Sequence, residues 1–65
     1  MIIEAHQVQR HCVVTGSDRF TLVSGVLARY DDVLQYGGRR YSVVRVERTT
    51  ADGSCVVLAT YRGKL

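Results

Sequence analysis

The residues best equipped for chemistry in this chain are His6, His11, Cys12 and Cys55, joined by the adjacent acids Asp31 and Asp32. Imidazoles and thiolates are zinc ligands, yet none of the four stands in a Cys-x-x-Cys or comparable spacing. His6 and His11 are five positions apart, so on a strand they point to opposite faces and do not converge. The residues therefore read as surface histidines beside a buried cysteine, with no metal and no cofactor. Cys12 and Cys55 read as two small buried hydrophobes in the reduced form, with a single bridge closing a long loop as the alternative. Neighbouring residues on a strand face apart, so Asp31 and Asp32 suit a turn better than acid–base work. No nucleophile elbow surrounds any serine, and Gly37-Gly38 opens no helix that would cradle a phosphate. The expectation is a protein that binds, has no catalytic residues and is not an enzyme.

The candidate partner-binding residues are Tyr36, Arg39, Arg40, Arg62 and Lys64. The first three surround Gly37-Gly38, and the last two follow the final expected strand. An aromatic ring beside arginines stacks a base and holds a phosphate. The same set forms the polar rim of a protein–protein contact anchored by Arg and Tyr, or simply keeps a hairpin tip soluble. Net charge is +3, unevenly spread: residues 1–32 sum to −1 and residues 33–65 to +4. A basic second half suits a polyanionic partner, and equally a solvated face that keeps sheet edges unpaired.

The elements that must position these residues follow from turns and alternation. Sixty-five residues make one domain, 1–65. A chain of that size buries only about 60% of its unfolded surface, so reinforcement such as oligomerisation is expected. No apolar run approaches the roughly 20 residues of a membrane span, and Met1-Ile2-Ile3-Glu4 has no basic, apolar leader pattern. The cytosol, or a particle assembled there, is the expected location. A first strand, straight or bent, is expected over Ile3–Val14, with a short helix through Ala5, Val8 and Cys12 as the alternative. Period-2 alternation marks a second strand over Arg19–Tyr30, bent at Gly25. Gly37-Gly38 predicts a hairpin with Leu34 opposite Tyr41 and Tyr36 opposite Arg39. Tyr41–Arg48 changes phase, which a β-bulge near Val43 or burial of both faces would explain. Asp52-Gly53 joins it to Ser54–Tyr61, whose apolar run Cys55–Ala59 suits a central strand covered on both faces. The expected fold is all-β: a small five-stranded SH3-like or OB-like barrel of antiparallel hairpins.

From Asp32 onward the succession is Asp32-Val33-Leu34, Tyr36-Gly37, then Tyr41, Val43, Arg45 and Val46, and Gly53-Ser54-Cys55 leading into an apolar strand. This ordered series resembles the C-terminal half of the head–tail joining, or head-completion, proteins of lambda-type tailed phages. The resemblance covers about half the chain. It implies a β-barrel that joins a ring in the virion between head and tail, with virion proteins of the connector as partners. It implies nothing for the long N-terminal segment and central loop of those proteins, which have no counterpart here. A second resemblance links Gly25–Asp31, Leu34-Gln35 and Tyr61–Leu65 to the two motifs of Sm-like RNA-binding proteins. It implies that Tyr30, Asp31, Gln35, Arg62 and Gly63 line an RNA pocket, which makes nucleic acid the second-choice partner. A small mobile-element inhibitor of a host protein, a class with no shared motif, is the third reading.

Overall fold

A computed structural model describes all 65 residues. Its strands are β1 (Ile2–Ile3), β2 (Val8–Val14), β3 (Ser17–Leu22), β4 (Val33–Tyr36), β5 (Arg39–Thr49) and β6 (Cys55–Lys64), with one 3-10 turn at Ala5–Gln7. They form one curled sheet in the order β1-β4-β5-β6-β3-β2, a half-barrel. β1 runs parallel to β4, and every other pairing is antiparallel.

Six strands replace the expected five. The single first strand foreseen over Ile3–Val14 is broken by the 3-10 turn, because Ile3 and Val8 lie on opposite sides of the barrel seam. Ile3 pairs with Leu34, whereas Val8 pairs with Leu22. The second expected strand also stops early, at Leu22. Ser24 and Gly25 form a turn in which Gly25 takes φ 92°, a left-handed conformation suited to glycine. Val26 and Ala28 still face the core, but as part of a loop that crosses beneath it. Tyr30, expected on the same inner face, is 75% exposed.

The hairpin signals hold. Gly37 and Gly38 both have positive φ, and the register sets Leu34 opposite Tyr41 and Tyr36 opposite Arg39. Register steps between Val43 and Arg45 and between Val46 and Arg48 shift the phase of β5. Tyr41 and Val43 therefore face the core while Val44 and Val46 remain partly exposed. Asp52 and Gly53 make the second hairpin turn, held by Thr50 and Ser54 around the Asp52 carboxylate. Those bonds, that from Thr50 above all, hold the carboxyl below the usual range.

Cys55, Val57 and Ala59 of β6 point inward to Ile3, Phe20, Leu22, Leu34, Tyr41 and Val43, which form the core. Val56, on the outer face, is also buried. There Arg19 of β3 donates to Glu47 of β5 at 2.6 Å, a bond that must cross β6 because β6 lies between those strands. The bond lowers the Glu47 pKa and raises that of Arg19.

Candidate functional site

The strand directions give the half-barrel two different ends. At one end, here the tip, lie the Thr15-Gly16 and Gly37-Gly38 turns and the end of β6. At the other, the foot, lie residues 23–32 and the Asp52-Gly53 turn.

The register gathers the sequence-predicted cluster at the tip. Tyr36 pairs with Arg39, Arg39 with Lys64, and Arg40 with Gly63, while Arg62 occupies the register step between Tyr61 and Gly63. Arg62 and Lys64 lie within the last strand, which runs three residues past its expected end at Tyr61. The four cations are exposed, and none belongs to an ion pair. No acidic residue occurs in 33–46 or 53–65, the segments that build this end of β4, β5 and β6.

Tyr36 itself does not face outward. Its ring packs 5.5 Å from Phe20 and 5.1 Å from His11, centroid to centroid. The exposed aromatic of the tip is Tyr61, 48% accessible, with the Arg39 guanidinium 5.7 Å from its centroid and the Tyr41 ring edge-on at 5.9 Å. Such a cation–π contact fixes a long side chain in advance of any ligand. Composition alone did not single out Tyr61. Pairing β5 with β6 across the Asp52-Gly53 turn sets it near Arg39 and was the signal available.

The histidines divide. His6 lies exposed in the 3-10 turn. His11, expected at the surface, is half-buried: it stacks on Phe20 at 4.6 Å, and its Nε2 meets the Asp18 carboxylate at 2.6 Å. Inward alternation on β2 gives it this place, since His11 pairs with Phe20. Both cysteines are free thiols. Cys55 is buried as expected, but Cys12 is exposed, because it lies on the outer face of β2 opposite Arg19. No three His, Cys, Asp or Glu side chains converge as a metal centre requires.

At the foot, Asp32 organises the loop. Its Oδ2 accepts the Arg29 N–H at 2.8 Å and its Oδ1 meets the terminal ammonium of Met1 at 3.2 Å. Desolvation pushes this carboxyl up, yet the two bonds outweigh it and leave the pKa below the usual range. Asp31 bends the chain with φ 72°, as the turn reading required. Met1, Leu27, Arg29 and Asp32 line a shallow open hollow of about 320 Å³.

The five residues of the RNA-pocket resemblance are not brought together. Asp31 bonds to Val43 at the start of β4, while Gln35 and Gly63 flank Arg40 near its end. That separation is about 10 Å along the strands. No family model, curated protein or solved structure matches the chain.

Proposed function

We propose that this chain is a non-enzymatic structural protein of a tailed phage or prophage, a small SH3-like or OB-like barrel that joins a ring at the head–tail junction. The observation that carries the reading is the apolar foot. Met1, Ile2 and Leu27 are each more than half exposed around Asp32, and Tyr30 stands exposed beside them in the chain. Exposed apolar side chains that join into one large patch mark a protein contact, whereas single ones are ordinary. A half-barrel with only 12 buried residues also gains stability from neighbours in a closed ring. The residues that carry the resemblance support the same reading. Asp32 to Cys55 runs along one continuous meander, and its Leu34, Tyr41 and Val43 build the inner wall. The partners are virion proteins of the connector and neighbouring copies of the chain, in the virion and, before assembly, in the bacterial host cytoplasm.

The test is a tagged chain expressed in the cell that carries its gene, followed by particle purification and mass spectrometry. Co-sedimentation with tailed particles, lost on Leu27→Asp or Tyr30→Asp, is the expected result. A stable free ring that holds RNA through high salt would replace this reading with the Sm-like one. Retention of one stoichiometric host protein, with none of the chain in particles, would replace it with the inhibitor reading.

A further inference from the structure

The tip carries a charge pattern that the ring contact at the foot does not use. Arg39 and Lys64 face each other across the β5–β6 ladder, with Arg40 and Arg62 immediately beside them. Strand backbones lie about 5 Å apart and successive side chains alternate faces. Arg39 and Lys64 therefore share one face and Arg40 takes the other, and the four positive charges surround one end of a molecule whose longest dimension is 32 Å.

The acids of the chain lie elsewhere or are already bonded. Asp18 is hydrogen-bonded to His11, and Asp32 and Glu47 are in ion pairs with the Met1 ammonium and Arg19. Asp52 is held in its own turn, Asp31 in the loop at the foot, and Glu4 beyond the β1 edge of the sheet. An uncompensated cluster of this density raises the local concentration of a densely charged polyanion.

The aromatic residues decide the form of that polyanion. A single-strand binder offers open ring faces on which bases stack. Here Tyr36 is turned into the His11–Phe20 cluster, Tyr41 is buried, and Tyr61 lies between the Arg39 guanidinium and the Tyr41 ring. Tyr61 is the one exposed ring among them, and the Arg39 guanidinium already lies over it. The cations are free to meet phosphates, and Arg39 is already ordered by Tyr61.

We infer that the tip binds the phosphodiester backbone of double-stranded DNA through Arg39, Arg40, Arg62 and Lys64, without reading base sequence. The contact belongs to a different end of the molecule from the proposed ring surface and stands independently of it.

The experiment is a titration of fluorescently labelled duplex DNA with the full chain as salt is raised. If three or four phosphates are engaged, affinity falls about 40- to 150-fold between about 50 and 200 mM salt, from a slope of about 0.9 per phosphate. Duplexes of unrelated sequence bind alike. Arg40→Ala combined with Arg62→Ala weakens binding by about tenfold or more and flattens the salt slope. Arg10→Ala combined with Arg48→Ala removes the same charge away from the tip and leaves binding within about threefold. All four positions are exposed, and unchanged circular dichroism of each variant keeps the comparison about binding. Equal losses from both pairs overturn the inference, because net charge alone would then be responsible. Tighter binding of single strands, equal binding of polyglutamate, or no binding at low salt each overturns it too.

Discussion

Replacing Phe20 by leucine tests what holds the open seam of the half-barrel. Phe20 is completely buried, with ring centroids 4.6 Å from His11, 5.5 Å from Tyr36 and 5.0 Å from Tyr41. His11 lies on β2 and Tyr36 on β4, and these strands share no ladder. The ring of Phe20 is therefore packed between the two sides of the seam. Leucine keeps the site apolar at somewhat smaller volume, a kind of change that costs under about 1.5 kcal/mol. Each aromatic pair contributes about 0.5–1.5 kcal/mol beyond its buried area. Three pairs sharing one ring do not add fully, so the expected loss for Phe20→Leu is about 2–3 kcal/mol. Phe20→Ala should lose about 3–5 kcal/mol. A chain of this length holds about 3–10 kcal/mol in total, so the leucine variant folds and the alanine variant is largely unfolded if the total is near the lower bound. Urea denaturation followed by circular dichroism measures the loss. Amide exchange locates it, with β2 exchanging faster while the β5–β6 ladder stays protected. A loss below about 0.5 kcal/mol, or β2 protected as well as before, would refute the account of the seam.

Three further outcomes follow from single features of the fold. Gly53 has φ 86° and a Cβ there would meet the Ser24 Oγ at 3.1 Å, so Gly53→Ala should lose about 1–2 kcal/mol in urea denaturation. In a Ser24→Ala background, which already lacks the Ser24 bond to the Asp52 carbonyl, the loss should shrink to the backbone strain alone. Asp32, Glu47 and Asp52 all have lowered pKa values in the fold, so their contribution is complete above the unfolded carboxylate pKa and is lost as pH falls through the folded one. The urea midpoint should therefore decline below pH ~4, and less steeply in Asp32→Asn; an unchanged midpoint in acid would contradict the bonding described. A thiol reagent should modify Cys12 in the folded protein and Cys55 only after denaturation, read by mass spectrometry as one adduct and then two. Two adducts on the native protein would show that β6 is not the central strand.

The hairpins were legible because their signals are local. Gly37-Gly38 fixes both turn and register, and Asp52-Gly53 marks the second turn while the β5–β6 register shifts along its length. Of the two explanations for the phase change at Val43, Val44 and Val46, the bulge is the one found. The N-terminal half was less readable, since long-range geometry decides it. Nothing near Glu4 announces that the chain must cross the seam between Ile3 and Val8. The alternation from Phe20 to Ala28 is genuine as inward facing, but period 2 does not distinguish a strand from a loop crossing a core. Of the candidate site, the four cations were legible from composition, while the inward turn of Tyr36 was not. It depends on Phe20 and on His11, read as a surface residue. Counting outward from Thr15-Gly16 pairs Val14 with Ser17 and hence His11 with Phe20, a register that the sequence contains.

The four clustered cations lie at the tip beside the exposed Val13, Tyr61 and Leu65, whereas the foot exposes Met1, Ile2, Leu27 and Tyr30 around Arg29 and Asp32. The two proposals therefore make separable demands on one small molecule. If copies associate through the foot, each presents its own tip, and a duplex engaged by several tips is held more tightly than by one. Weak, salt-sensitive binding by an isolated chain then coexists with firm binding by the ring. Leu27→Asp should break association and lower apparent DNA affinity while leaving the salt slope of each chain unchanged. Arg40→Ala with Arg62→Ala should flatten that slope while leaving oligomer size, measured by light scattering, unaltered. Loss of assembly in the tip variant, or a changed slope in the foot variant, would mean that one surface serves both purposes and that the separation of the two ends has no functional meaning.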